Sequence, residues 1–215
     1  KFPGNRIGVF RKVRATLLET TLRTFLKDVC HYEMPDDPGW IVKFNKSELK
    51  CTMWNGSEVI FMGLDKAEKL GSLELGAAAI DEAIEIDEDD WTMIAGRLRL
   101  PGVPYYQIFA ATNPGPPGHW LYKKFFENGE GEVIQASTLE NPYLPEAYKE
   151  RLKRFKGRYY ERFVLGRWVA FEGLVYDVFD PREHIIDMKP NEIPPNWRRI
   201  ISIDFGFNHP FVAQW

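Results

Sequence analysis

The chain has 215 residues, with 31 acidic against 28 basic side chains, a formal net charge of −3 and a sequence pI near 5.9, so no overall field draws it to nucleic acid. A hydrophobic share of 44% and an aromatic share of 14% supply a real core and exclude a largely disordered chain. Cys30 and Cys51 form no CxxC, and His31 has no second histidine at metal-site spacing, so neither a disulfide framework nor a zinc site is predicted and both thiols are read as reduced and buried. No apolar run reaches the length of a membrane-spanning helix, and the opening "KFPGNRIGVFRK" lacks the apolar region of a signal peptide.

The first strand is expected in "RIGVF" at 6–10, ending near Arg11 and Lys12. In the following "TLLETTLRTFLKDV", Leu18, Leu22, Phe25, Leu26 and Val29 make one helical stripe, with Thr16 and Glu19 spaced as a capping box. "EVIFMGL" at 58–64 and "GAAAI" at 76–80 are further apolar runs, continuous enough for strands covered on both faces.

The second of these runs ends on Asp81 and Glu82. Seven of the ten residues from Asp81 to Asp90 are acidic, and Asp87 to Asp90 read as the solvated start of a helix carrying Trp91, Ile94, Ala95 and Leu98 that Pro101 and Gly102 end. In an open α/β sheet ligands lie beyond the carboxyl ends of the strands, so a strand-end Asp is placed to help hold Mg²⁺ and a following Glu to polarise a water. The bland alternative is an acidic loop where a strand meets solvent.

"YYQIFAA" at 105–111 is the next strand, and it stops on Thr112 and Asn113 before the stiff turn "PGPPG". Adjacent strand ends bearing Asp-Glu and Thr-Asn would converge on one ligand. "HWLYKKFFENG" then reads as a helix stopped by Asn128 and Gly129, and "EVIQAS" at 132–137 as a strand.

The long helical region from Leu144 to Gly166 is divisible at Gly157, with Pro145 near its first turn. Lys149, Lys153, Arg154, Lys156 and Arg158 crowd its middle beside Tyr148, Phe155, Tyr159 and Tyr160. These residues either contact a phosphate backbone or form the wet face of an amphipathic helix with its aromatics in the core. After Trp168 the composition turns irregular and proline-rich, and "RRIISIDFGFNHP" opens a new strand bearing Asp204, a residue type and position that can begin a two-metal nuclease site.

Strands alternating with helices define an α/β domain with helices on both faces of the sheet. No Gly-x-x-x-x-Gly-Lys-Ser/Thr loop occurs in the 215 residues. A phosphate loop lying before Lys1 is therefore expected to belong to a longer protein.

Taken in order, "VFRKVRATLLETTLRTF", "GSEVIFMGLDKAEKLGSLELGAAAIDEA", "FAATNPGPPGHWLYKKFF", "STLENPYLPEAYKERLKRF", "YYERFVLGRWVAFEGLVYDVF" and "IISIDFGFNHP" resemble the large terminase subunit of tailed bacteriophages and prophages. The resemblance implies a P-loop NTPase-like parallel sheet with helices on both faces, truncated before its phosphate-binding loop, followed by the first strand of an RNase H-like nuclease. Residues 1–168 would be the partial packaging ATPase, 169–198 a connector and 199–215 the start of the nuclease, a lone strand with nothing of its own to pair with. It further implies Asp81 as the Mg²⁺-associated Walker B acid, Glu82 as the catalytic base, Thr112 and Asn113 as the motif coupling hydrolysis to DNA movement, and Asp204 as the first nuclease metal ligand. Arg11 is placed near nucleotide or DNA.

ATP and Mg²⁺, with Mg²⁺ or Mn²⁺ for the nuclease, are the implied cofactors. Double-stranded DNA, a portal protein and a small terminase subunit are the implied partners, in a ring assembled on the procapsid in the cytoplasm of a bacterial host. Gly71 stands where relatives commonly carry a basic residue, and Arg167 where they carry an acid. A helicase-like DNA-dependent ATPase and a non-catalytic prophage remnant are the competing readings, and the isolated 215 residues are expected to be inactive.

Overall fold

The computed structural model describes residues 2–170, 189, 192–198, 202–204 and 212–214; the side chains of 66–69 and of the last two ranges lie outside that description. Six strands form one sheet: β1 (Arg6–Arg11), β2 (Ile41–Asn45), β3 (Lys50–Met53), β4 (Glu58–Gly63), β5 (Ala77–Ile80) and β6 (Gln107–Ala110), in the order β2-β3-β4-β1-β5-β6. β4, β1, β5 and β6 run parallel, while β2 and β3 extend the sheet as an antiparallel hairpin. The sheet is thus a parallel core with a mixed edge, and the hairpin is an addition to the elements expected from the sequence.

Alternation along the central strand sends side chains to two separate cores. Phe10 packs with Ala78, Ile80, Leu75, Ile94 and Leu121 on one face. Val9 lies against the other core, which Leu17, Leu22, Val59 and Phe61 form with the two buried cysteines. Burial of a Phe or Leu side chain contributes roughly 2–3 kcal/mol relative to exposure, so both faces of β1 are stabilised by their covers. Desolvation pushes the Cys51 thiol up to about 12, which keeps it protonated and inert.

One face is covered by α1, a continuous helical rod over 14–29 that includes two π-helical stretches, Leu17–Leu22 and Phe25–Val29. The expected capping box at Thr16 is not formed. The helix starts earlier, from Val13, because only two residues separate it from β1, and the Thr16 hydroxyl donates instead to the Val13 carbonyl at 2.9 Å. Close approach of the first turn to β4 explains Gly63: a Cβ there would sit 2.6 Å from the Arg14 backbone nitrogen and Cα. Gly63→Ala is therefore expected to cost at least about 1 kcal/mol in urea unfolding, through displacement of that turn.

The opposite face is covered by α2 (Glu88–Ala95) and by α3, helical over 120–127. Asp87 caps α2 in a reciprocal box with Asp90. The helix stops at Gly96 rather than near Pro101, and Leu98 lies beyond it in a bridge with Leu75. α3 ends as expected, at Asn128 and at Gly129 with φ 68°.

Residues 132–137 are not a strand of the sheet, although their apolar pattern predicts one; no ladder pairs them. The strand expected at 105–111 shortens to Gln107–Ala110. The long helical region divides at Gly157 into α4 (Glu146–Leu152) and α5 (Gly157–Phe163), with Pro145 preceding α4.

The chain divides into two compact units, Lys1–Glu172 and Gly173–Trp215. In the second unit, β7 (Ser202–Asp204) pairs antiparallel with β8 (Val212–Gln214), which places Asp204 opposite Val212. The strand carrying Asp204 therefore has a partner within 199–215, contrary to expectation. Most of the connector 169–198 lies outside the described residues. No described helix is long and apolar enough to cross a membrane.

Candidate functional site

The parallel ladder brings three strand ends to one level. Phe10 is registered with Ile80, and Ile80 with Ala110. The ladder continues one step further, with the Asp81 amide donating to the Phe10 carbonyl at 2.9 Å and the Ala111 amide to the Ile80 carbonyl at 2.9 Å. Arg11, Asp81 and Ala111 are consequently neighbours at the carboxyl edge, where an open α/β sheet receives ligands.

Asp81 accepts a hydrogen bond from Thr21 Oγ1 on α1, and Arg11 Nη1 lies 3.8 Å from the same carboxylate oxygen. Arg11 also donates to Thr20 Oγ1 at 2.6 Å and pairs with Glu85 at 3.4 Å. Its side chain is only 13% exposed, so the guanidinium is held rather than free to sweep solvent. Thr20 and Thr21 are not among the residues expected at the site, because they fall outside the apolar stripe of α1. Two adjacent threonines in an otherwise leucine-rich helix are the available signal.

Glu82 has φ 49° and ψ 53°, the left-handed region, which costs a non-glycine residue roughly 1–2 kcal/mol. The turn is held from the next strand end: the Ala83 amide donates to the Ala111 carbonyl at 2.9 Å, and the Ile84 amide to Thr112 Oγ1 at 2.9 Å. Thr112 Oγ1 donates in turn to the Asn113 carbonyl at 3.0 Å. The Asp-Glu and Thr-Asn strand ends are thus joined directly.

They do not all face one cavity. Asp81, Glu82, Arg11, Thr20 and Thr21 line a cleft of about 830 Å³ on the α1 side of the sheet. Thr112 and Asn113 line a second cavity of about 470 Å³ on the other side, with Trp91, Phe125, Arg162 and the segment 132–136. The four residues therefore do not line one cavity: Thr112 and Asn113 both line the second, and Thr112 reaches the Glu82 turn through its hydroxyl.

Asp87 to Asp90 are separate from the site but not simply solvated. Lys12 Nζ lies 2.6 Å from Asp90 and 3.0 Å from Asp87, and the Asp90 side chain is 7% exposed. Hydrogen bonds to Asp90 and then Asp87 raise the Lys12 ammonium above its ordinary value. Donation from the Asp90 amide and then from Lys12 lowers the Asp87 carboxyl.

The basic residues occupy α4, α5 and the turn between them. Lys149 pairs with Glu146 at 2.8 Å, Lys153 with Glu150 at 2.6 Å, and Arg158 donates to the Ala170 carbonyl at 2.7 Å. Arg154 and Lys156 lie on the exposed turn. Tyr148, Phe155 and Tyr159 are exposed rather than packed in the core. Arg162 Nε donates to the Pro114 carbonyl at 2.6 Å, which ties α5 to the loop that follows Thr112 and Asn113.

No group of three or more His, Cys, Asp or Glu side chains able to hold a metal ion occurs among the described residues. A single carboxylate at the edge of a cleft nevertheless suits Mg²⁺, which keeps much of its water and binds one or two carboxylates together with substrate phosphates. Asp81, 36% exposed and lining the cleft, meets that requirement. The side chain of Asp204 lies outside the described residues.

Strand order and parallel pairing define an open α/β domain whose carboxyl edge carries Asp81 and Glu82. The family model described as phage terminase large subunit matches residues 3–168, and the chain belongs to that family. It is 27% identical over 132 residues to the PBSX phage terminase large subunit of Bacillus subtilis (strain 168), covering 51% of this chain and 30% of that protein.

Among solved structures, the large terminase from a thermophilic bacteriophage superposes with a TM-score of 0.64 at 24% identity, covering 99% of this chain and 52% of that one. The same terminase in complex with ADP gives 0.63 at 25% identity, with coverage of 99% and 52%. The chain therefore spans about half the length of those solved relatives. Family membership selects the terminase reading over the helicase-like one.

Proposed function

We propose that this chain carries the water-activating end of a packaging ATPase, within a longer protein that moves double-stranded DNA into a procapsid and cuts it. The observation that carries the reading is the 2.9 Å bond from the Ile84 amide to Thr112 Oγ1, which joins the Glu82 turn to the neighbouring strand end in a chain of the terminase family. Glu82 orients the attacking water and accepts its proton, and Asp81 would help to hold Mg²⁺. When bound, Mg²⁺ neutralises charge on the phosphates. Thr112, bonded to the turn and continuous with the loop that Arg162 grips, transmits a shift at Glu82 toward α4 and α5. Lys149, Lys153, Arg154, Lys156 and Arg158 then meet the DNA backbone.

None of the 215 residues matches a phosphate-binding loop, so turnover on this reading would require one supplied by the longer protein. Arg11 lies beside the nucleotide and supports Asp81. Asp204 would supply one ligand of the nuclease metals, Mg²⁺ or Mn²⁺. Portal and small-subunit contacts complete a ring on the procapsid, in the cytoplasm of the bacterial host.

Nucleotide affinity, measured with and without Mg²⁺ on the 215-residue chain and on its full-length parent, tests the assignment. Mg²⁺-dependent ATP binding by the parent and negligible binding by the shorter chain are expected. Equal affinity in both would remove the need for an external phosphate-binding loop.

A further inference from the structure

The loop after β6 grips the residues that follow Glu82 at more points than Thr112 alone. The Trp120 indole Nε1 donates to the Ile86 carbonyl at 2.9 Å. Ile86 itself is 2% exposed, so that carbonyl has little access to replacement water. The indole is steadied by its packing on Trp91, with ring centroids 5.8 Å apart. His119 Nδ1 accepts from the Leu121 amide at 3.2 Å and so fixes the first turn of α3 beneath Trp120.

Gly115, buried in the same loop, lets the backbone press against Ile84: a Cβ there would fall 2.6 Å from Ile84 Cδ1. Together with the amide bonds of Ala83 and Ile84, these contacts hold the segment 83–86 at residues 83, 84 and 86. Glu82 immediately precedes this segment in a strained left-handed conformation that relaxes unless its surroundings hold it.

We infer that Trp120 and Gly115 are positioning residues that keep the Glu82 carboxylate in register for hydrolysis by clamping residues 83–86 against the loop after β6. The inference rests on Glu82 as the base. Neither residue touches the reacting atoms; both act through the turn. Misplacement of a catalytic group by about 1 Å costs up to about 100-fold in rate, so partial release of the clamp is expected to cost about 10-fold.

The test uses the full-length protein, with kcat and KM for ATP measured for Trp120→Phe, Gly115→Ala, Gly115→Ala with Ile84→Val, Glu82→Gln, and Trp120→Phe with Glu82→Gln. Trp120→Phe is expected to lower kcat about 10-fold with KM within about twofold, and to have no further effect once Glu82 is Gln. Gly115→Ala is expected to lower kcat similarly, and Ile84→Val, which removes the colliding methyl, to restore it. The inference is overturned if Trp120→Phe and Gly115→Ala turn over like the wild type, or if Trp120→Phe costs the same roughly 10-fold in the Glu82→Gln background. Should Trp120→Phe fail to fold, the Gly115 and Ile84 pair decides alone, absence of rescue counting against it. Full turnover by Glu82→Gln alone refutes the base assignment instead.

Discussion

Glu82→Gln in the full-length parent is expected to retain Mg-ATP affinity within about twofold and to lose about 10²–10⁴-fold in kcat, as measured by phosphate release under saturating nucleotide. Gln keeps the size and hydrogen-bonding reach of Glu but has no basic carboxylate, so binding survives while proton acceptance does not. The backbone at 82 makes the comparison with glycine informative. Gly occupies φ 49° without the steric cost that Glu bears, so Glu82→Gly is expected to match or exceed the wild type in urea stability by up to about 1 kcal/mol while being equally inactive. A residue whose removal improves folding and abolishes turnover is held there for chemistry.

Lys12→Met is expected to cost about 2 kcal/mol of stability at about pH 7, read from the urea midpoint. Removing Lys12 leaves the Asp90 carboxylate, 7% exposed, with its capping contacts alone. A fully buried broken pair costs about 3–5 kcal/mol, and the smaller figure follows because the Lys12 side chain is 35% exposed and partly screened.

The pH window follows from the directions of the two shifts. Asp87 is lowered in the fold, so its contribution is present above the ordinary carboxyl range and is lost as pH falls through its folded value, below about pH 4. Lys12 is raised, so its contribution is present below about pH 10 and is lost as pH rises through the folded value. The difference between wild type and Lys12→Met should therefore hold steady from about pH 5 to about pH 10 and shrink in acid.

Periodicity serves where burial is two-sided or cleanly amphipathic. The continuous apolar runs at β1, β4 and β5 predict strands because helices cover both faces there, and Asp87 marks the start of α2 through its capping chemistry. The hairpin β2–β3 is not legible because it lies at the sheet edge, where Val42 is 63% exposed and alternation is diluted by lysines. Residues 132–137 carry a strand pattern without a ladder, a case in which local propensity cannot supply a partner. β8 has no signal of its own because "FVAQW" is too short to announce its pairing with β7.

At the candidate site, the placement of Asp81, Glu82 and Thr112 at neighbouring strand ends is legible in the sequence because parallel strands deliver their carboxyl ends together. The contacts of Thr21, Lys12 and Trp120 are not, because they join residues 60, 78 and 34 positions apart, respectively, and no local pattern encodes such distances.

The most direct measurement is a crystal structure of the full-length protein with Mg²⁺ and a non-hydrolysable ATP analogue. The γ-phosphate is expected beyond the carboxyl ends of β1, β5 and β6, with Asp81 at the metal's water shell and the Glu82 carboxylate hydrogen-bonded to a water in line with the phosphorus. A γ-phosphate seated elsewhere on the sheet, or a Glu82 carboxylate turned out of reach of that water, would contradict the account.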